Sequence, residues 1–333
     1  MIQTRTADGL PRPVANSTAK PPHRQPYRMS DSECLEFETQ IAQLLANGWV
    51  TDSHSRFAAP VIFVKNPDGS GLRMCVDYRG VSAITTRDWY RLPYIEDLID
   101  RLHGSRVFTK FDLASGYHQL RIHSDDRHKT ALVIADGFYE WTVIPFVLAN
   151  APSVCMHAMY RILGSYKKFP IVYLDDMLIF SRSLPEHKMH VDTILLVIQA
   201  AYLRLNERKC MFGAAETSFV GFKVNSGGIH TEDRKIAAIN DWPLPACTAQ
   251  LRSFLGLAGS YRKFMHKFAH RTTQLYAVTA DKSTFRWLRK HQAEFVNIRR
   301  ALASAPGLAL CDPERDYILR TDASAVAIGG VLA

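Results

Sequence analysis

Apolar positions in the chain switch between two periods. From Ser30 to Gly48 they recur every three or four residues, with Phe37, Ile41, Leu44 and Leu45 on one face, which predicts a helix. Ser30-Asp-Ser-Glu33 is a capping-box pattern that opens this helix, and Gly48 ends it. The period then shortens to two. Val61–Lys65 and Leu72–Asp77 read as strands joined by the turn chemistry of Asn66-Pro-Asp-Gly-Ser-Gly71. Arg73, Cys75 and Asp77 fall on one side of the second strand, Met74 and Val76 on the other. Tyr94–Leu102 reads as a short helix, and Val107–Asp112 as a strand with Phe108, Lys110 and Asp112 on one face. Ile144–Ala151 reads as an apolar loop ending in Asn150-Ala-Pro152, before a helix that runs through Leu163. Two apolar runs of strand length follow, Ile171–Leu174 and Met177–Phe180. Ser183-Leu-Pro-Glu186 then opens a helix with Val191, Ile194, Leu195, Ile198 and Tyr202 at helical spacing. Strands interleaved with helices around a central hairpin imply an α+β domain.

After Phe222 the pattern becomes helical. Thr231 and Thr248 are candidate caps, with Trp242-Pro-Leu-Pro245 as a break between helices. Leu251, Phe254, Leu255, Ala258, Tyr261, Phe264 and Phe268 follow one helical face. Gly256 and Gly259 fit that face only if another backbone packs closely there. Tyr317–Asp322 reads as a strand ending in an acid, and Ala333 falls within what reads as the next one. At the other end, residues 1–30 hold five prolines, five Lys/Arg and one acid, the composition of an extended arm that orders on binding.

The candidate chemistry sits between the two apolar runs. Asp175 and Asp176 make a two-residue acidic link, which reads as a tight hairpin holding two carboxylates at the end of a largely buried ribbon. Burying unpaired carboxylates is costly, and a divalent cation held by oxygen ligands is the compact counter-charge. Asp125-Asp126 is the control: its neighbours are polar, so it reads as an exposed turn. A site with two metal ions needs a carboxylate from outside the hairpin, and Asp112 could supply it from a neighbouring strand. Lys65 and Arg73, on the two strands of the earlier hairpin, could clamp phosphates, Arg by its planar fork and Lys as a point charge. Taken alone, each of these residues is an ordinary surface charge or a strand-end acid.

Totals narrow the classes. A chain of 333 residues with 47% hydrophobic content can build two or three domains. No apolar run has the length of a membrane span, and the N-terminus lacks a secretion signal's apolar core. The six cysteines (Cys34, Cys75, Cys155, Cys210, Cys247, Cys311) lie far apart, which argues for a reducing compartment and against a disulfide framework or zinc site. His187 and His190, with Cys210 further on, read as solvated helix positions rather than ligands. The net charge is +9, and residues 251–300 alone hold eleven Lys/Arg against two acids, the whole excess. A basic region of this kind suits a polyanion, or else is merely a soluble helical surface.

Together the motifs carry a resemblance. Arg73-Met-Cys-Val-Asp-Tyr-Arg79, Phe111-Asp-Leu-Ala-Ser-Gly-Tyr-His-Gln119, Lys129-Thr-Ala131 and Ile144-Pro-Phe146 come first. Asn150-Ala-Pro152, Tyr173-Leu-Asp-Asp176, Phe219-Val-Gly221, Leu251-Arg-Ser-Phe-Leu-Gly-Leu-Ala-Gly259 and Thr321-Asp-Ala-Ser324 follow in order. From about Pro26 to Ala333 the chain resembles the reverse transcriptase segment of a gypsy-class long-terminal-repeat retrotransposon polyprotein. The resemblance implies a right-hand polymerase fold. Residues 1–30 would be an arm, 31–212 the fingers and a ferredoxin-like palm, and 213–310 a helical thumb and connection. Residues 311–333 would be the truncated start of an RNase H-like domain. The implied activity is RNA-directed DNA polymerisation, a nucleotidyl transfer from dNTPs onto a primer 3′-hydroxyl, on an RNA or DNA template.

By the same resemblance Asp112, Asp175 and Asp176 are the catalytic metal carboxylates, for two Mg²⁺ ions or Mn²⁺ in their place. Lys65 and Arg73 hold the triphosphate. Tyr117 lies beneath the sugar and disfavours a 2′-hydroxyl, its bland alternative being a core tyrosine. Phe146 lines the nucleotide pocket, and the basic helices track the duplex. Asp322 matches the first RNase H carboxylate, left vestigial without the rest of that domain, so no RNase H activity is expected. No membrane partner is implied; a dimer, or other parts of the polyprotein, stays open. The location would be intracellular, in cytoplasm or virus-like particles. Val147 stands where the family usually has Gly, which would strain a β-branched residue if that position needs a positive φ. Cys155-Met156 replace Phe-Gln, Arg91 replaces Pro, and Leu132 replaces Phe. These departures keep open a remnant that only binds nucleic acid; a two-metal nuclease on the same carboxylates is the third reading.

Overall fold

The structure, a computed structural model, describes residues 20–66, 69, 71–90, 92–134, 137–280, 285–310, 312, 316–323 and 328–332. In chain order the elements begin with α1 (Asp31–Ala46), β1 (Val50–Asp52), β2 (Ala59–Lys65), β3 (Leu72–Val76), α2 (Arg79–Ile84), α3 (Ile95–Asp100) and β4 (Val107–Asp112). Next come α4 (Ser124–Arg127), β5 (Leu132–Ile134), β6 (Gly137–Trp141), α5 (Ala151–Leu163), β7 (Pro170–Tyr173), β8 (Asp176–Ser181), α6 (Leu184–Ala200) and β9 (Met211–Ala214). The later part holds β10 (Glu216–Phe219), β11 (Phe222–Asn225), β12 (Gly228–Thr231), α7 (Asp233–Asn240), α8 (Thr248–Ser260), α9 (Phe268–Ala280), α10 (Arg289–Ala303), β13 (Leu319–Ala323) and β14 (Ile328–Leu332). Two compact units result. One comprises the residues up to Tyr94 with Val107–Ala214, the other Ile95–Arg106 with the residues from Ala215 onward. Among the described residues no helix is long and apolar enough to cross a membrane.

In the first unit, α1 starts as its sequence predicts. The Ser30 N–H donates to Glu33 Oε2 at 2.8 Å, and the Ser30 hydroxyl accepts from the Glu33 N–H. Phe37 and Ile41 are buried and Leu44 packs on the same core, but Leu45 is 40% exposed. Gly48, with φ +66°, closes the helix in the left-handed conformation that glycine reaches without penalty. Residues 1–19 of the expected arm lie outside the described residues. Within residues 20–30, His23 bridges Ala58, and Arg24 and Tyr27 both reach the Asp77 carboxylate.

Two sheets organise this unit. The first runs β1-β6-β5-β2-β3, antiparallel except for the parallel β2–β5 pair. Its core holds Phe37, Val61, Val76, Tyr78, Leu132 and Trp141. The second runs β7-β8-β4-β9, antiparallel throughout. Phe111, Met177 and Ile179 of this sheet pack with Met156 and Met159 of α5 and Ile194 and Ile198 of α6. Ser183 is at the N-cap of α6 but its side chain caps nothing; Glu186 instead accepts from the Arg182 N–H at 2.9 Å. Tyr202 lies past the end of α6, with φ +57°. Asp125-Asp126 departs from expectation: Asp125 is exposed, but Asp126 is fully buried and ion-paired with Lys129 at 2.7 Å.

The second unit contains a sheet that the periodicity missed, β10-β11-β12, antiparallel with strands of four residues each. Such short runs leave too few positions for alternation to show. Val220 and Gly221 form the β10–β11 turn, both at positive φ, and the Tyr261 hydroxyl donates to Gly221 O at 2.9 Å. The helix caps are Glu232 and Cys247, one residue from the expected Thr231 and Thr248. The continuous face expected from Leu251 to Phe268 breaks: α8 ends at Ser260, a 3-10 turn covers Arg262–Phe264, and α9 starts at Phe268. Among the described residues, no atom outside the helix's own backbone and the chain neighbours lies within 4 Å of a Cβ built on Gly256 or Gly259, so no other described backbone packs closely there.

Candidate active site

The hairpin β7–β8 pairs Tyr173 with Asp176. Its two-residue turn is therefore Leu174-Asp175, one position earlier than the acidic link suggested, and Asp176 is the first residue of β8. Leu174 enters the turn at φ +59°. Two-residue hairpin turns favour positive φ, at a cost to a leucine of roughly 1–2 kcal/mol. The strand β4 lies beside β8, and its register sets Asp112 directly opposite Asp176. Sheet pairing thus brings an acid from 63 positions earlier in the chain to the hairpin that carries Asp175 and Asp176.

Two lysines attend these acids. Lys110 Nζ lies 2.9 Å from Asp176 Oδ1, and Lys209 Nζ lies 3.9 Å from Asp112 Oδ1. Burial raises the pKa of the Asp112 carboxyl; Lys209 opposes this, while the charges of Asp175 and Asp176 add to it. The three acids therefore share one region of negative potential, and hard oxygen donors of this kind suit a divalent cation such as Mg²⁺. Among the described residues no three His, Cys, Asp or Glu side chains are gathered tightly enough to form a metal cluster. Asp112 and Asp176 rest on lysines instead. The donor chemistry fits the expected ions, with the lysine ammonium groups in the role of counter-charge.

Asp112 and Asp175 line a cavity of about 760 Å³ within the first unit, together with Arg73, Tyr117, Phe146 and Lys209. Gly116 borders the acids: a Cβ there would sit 3.3 Å from Leu113 Cβ and 3.5 Å from Asp175 Cβ. Tyr117 packs against the cores of both sheets, and burial raises its phenol, which stays neutral. Phe146 is 45% exposed. Lys65 is not on the cavity wall. The β2–β3 register pairs Arg73 with Val64 and Lys65 with Leu72, so the two cations alternate to opposite faces of their hairpin. Asp322 lies in β13 of the second unit, opposite Gly329.

Sequence reasoning missed the lysine counter-charges. Lys110 had a signal, since it shares a strand face with Asp112; Lys209, on a 3-10 turn, had none. It also missed His118, which lines the cavity with its ring between Trp49 and Trp141, centroids 4.7 and 5.2 Å away. Neither ring nitrogen of His118 has a hydrogen-bond partner among the described residues, and burial lowers its pKa to about 4. His187 is buried rather than solvated: Nε2 bonds Thr109 Oγ1 at 2.7 Å and Nδ1 bonds Ser181 Oγ at 2.9 Å. The helix α6 packs onto β4 and β8, and the bonds to Thr109 and Ser181 show that this position faces the sheet. Val147 has no positive φ, so the expected strain does not arise, and its side chain packs on the first core. Leu132, Cys155 and Met156 are buried, and Arg91 lies outside the described residues.

Residues 64–224 match the family described as reverse transcriptase (RNA-dependent DNA polymerase). Residues 287–333 match the RNase H-like domain found in reverse transcriptase, a match that starts inside the span assigned above to thumb and connection. The retrovirus-related Pol polyprotein from transposon 297 of Drosophila melanogaster is 33% identical over 327 residues, 96% of this chain and 31% of that protein. The transposon Tf2-3 polyprotein of Schizosaccharomyces pombe is 33% identical over 308 residues, 92% of this chain and 23% of that protein. The chain thus spans less than a third of the length of these relatives. A foamy viral protease-reverse transcriptase in complex with dsDNA superposes with a TM-score of 0.86 at 23% identity, over 97% of this chain and 68% of that one. The same kind of protein in complex with an RNA/DNA hybrid gives 0.85 at 21% identity, over 97% of this chain and 46% of that one. At such identity the likeness is one of fold, the α+β polymerase class that the motifs implied. The chain belongs to the reverse transcriptases of retrotransposon polyproteins, with a reverse transcriptase domain followed by the RNase H-like domain that accompanies it in such proteins.

Proposed function

We propose that the first unit is an RNA-directed DNA polymerase that extends a primer 3′-hydroxyl with dNTPs. The observation that carries this reading is the register of β4 against β8, which sets Asp112 opposite Asp176 beside the Asp175 turn, with Asp112 and Asp175 on the wall of a nucleotide-sized cavity. Asp112, Asp175 and Asp176 would hold two Mg²⁺ ions, or Mn²⁺. When bound, such ions supply Lewis-acid polarisation and neutralise phosphate charge. Lys110 and Lys209, beside Asp176 and Asp112, would offset part of the carboxylate charge in the absence of the ions and yield to them. Arg73, on the cavity wall, would hold the dNTP phosphates in a bidentate contact. Lys65, on the other face of its hairpin, would be the lesser partner. Tyr117 is fixed between two cores, and a ring so held would exclude a 2′-hydroxyl by contact. Phe146 offers an exposed aromatic face to the base. The basic excess of residues 251–300 would hold the template–primer duplex through its phosphates.

Primer extension on an RNA template with dNTPs and Mg²⁺ tests the reading. The unmodified chain is expected to extend, and Asp175→Asn to abolish extension while duplex binding persists. A chain that binds duplex and never extends would be the nucleic-acid-binding remnant instead.

A further inference from the structure

The Leu174 peptide groups meet sulfur on both sides. Its N–H donates to Met156 Sδ at 2.9 Å, and Cys155 Sγ lies 3.9 Å from its carbonyl oxygen. Both sulfurs belong to consecutive residues of α5, both side chains are buried, and they sit in the same core as Leu174. A thioether only accepts and a thiol can donate, so the pair matches the polarity of the peptide groups it faces. The contacts fall on the residue whose φ is +59°, immediately before Asp175. An unbranched Met side chain reaches such a group where a branched apolar one would not.

We infer that Met156, seconded by Cys155, is a positioning residue: it holds Leu174 in the left-handed conformation and so fixes the direction in which Asp175 leaves the turn. Without that contact only the hairpin pairing itself opposes relaxation of Leu174 toward negative φ, and Asp175, one peptide further on, would swing with it. This rests on the polymerase reading for its consequence in activity, but not for its structural content.

The full chain tests it with four variants. Met156→Leu removes the acceptor at nearly equal volume, Met156→Gln keeps an acceptor at similar reach, and Leu174→Gly removes the left-handed penalty. The fourth combines Met156→Leu with Leu174→Gly. Amide exchange of Leu174, read by NMR, is expected to be about tenfold faster in Met156→Leu and near the unmodified rate in Met156→Gln. Primer extension is expected to lose about tenfold in kcat in Met156→Leu, with the dNTP KM within about twofold, since the loss is of alignment and not of substrate contacts. Met156→Gln and the added Leu174→Gly should each restore most of that loss. Cys155→Ala should move exchange less, because the thiol contact is the longer one. An unchanged exchange rate in Met156→Leu, or a kcat loss that Leu174→Gly does not relieve, overturns the inference. Should Met156→Leu fail to fold, Leu174 protection in the unmodified chain decides, and exchange at the free-peptide rate overturns it. If the unmodified chain does not extend at all, the polymerase reading falls while exchange still judges the Met156 contact.

Discussion

Two consecutive aspartates occur twice in the first unit, and their surroundings differ in a way that their flanking residues do not announce. In the first turn of α4, Asp126 is fully buried against Lys129, which comes three residues later in the chain. In the β7–β8 hairpin, Asp176 is about one-third exposed, and its partner Lys110 comes from another strand. Polar neighbours suggest exposure for the α4 pair, and apolar neighbours suggest burial for the hairpin pair. What separates them is where the counter-charge originates. A local partner travels with its acid and can be sealed in from water. The cross-strand pair at the hairpin stays partly open, and an acid in an opening can exchange a lysine for a substrate-borne or soluble cation.

Matched substitutions would break that comparison if both pairs behaved alike. Asp176→Asn is expected to lower primer extension by about a thousandfold, the scale of several kcal/mol of lost charge stabilisation, while the urea midpoint barely moves. Asp126→Asn removes the charge that faces Lys129 and is expected to cost about 3–5 kcal/mol of stability, with extension per folded molecule close to normal. Parallel urea titrations and single-turnover extension read both effects, and equal stability losses would refute the distinction.

His118 sharpens the point, because it is a half-buried titratable group with no ion-pair partner among the described residues. Its folded pKa of about 4 lies below the 6.5 of the unfolded chain, so the fold holds it neutral. Stability from this residue is complete above pH 6.5 and is lost as pH falls from 6.5 toward 4, as the unfolded state takes up the proton first. The loss is expected to reach about 2–3 kcal/mol. His118→Phe keeps an aromatic ring between Trp49 and Trp141 and should remove that slope from unfolding free energy measured across pH 4–7. An unchanged slope would place the titrating group elsewhere.

How much of this was legible depends on whether a feature is local. The capping box at Ser30, the β4 strand ending at Asp112 and the two strands around the acidic pair all rest on short-range pattern; the first two formed where they were expected, and the hairpin formed with its turn one residue early. Pairing register is not local. Lys65 and Arg73 face apart because Arg73 pairs with Val64 rather than with its fellow cation, which no turn composition reveals. The burial of His187 departs from expectation for a related reason: periodicity marks polar positions on a helix but not which of them a neighbouring sheet will cover. The Trp49–His118–Trp141 stack draws on three separated segments and left no trace in any one of them.

The β2–β3 register carries its own test, smaller in effect. Arg73→Ala is expected to raise the dNTP KM about tenfold through loss of a bidentate phosphate contact, whereas Lys65→Ala, off the cavity wall, should change it about twofold or less. Steady-state extension at varied dNTP concentration separates the two. Equal effects would mean that the hairpin tip rearranges on binding.

Val147→Gly gives the smallest change and a definite sign. Val147 occupies an ordinary negative φ and packs against the first core. Glycine there relieves nothing; it adds freedom to the unfolded chain and removes apolar contacts. The expected result is a loss of about 1 kcal/mol in urea unfolding and no gain in extension. A gain in either quantity would mean that the position must visit positive φ during the reaction, and the strain argued from the family's usual glycine would return as a property of the working enzyme rather than of its resting fold.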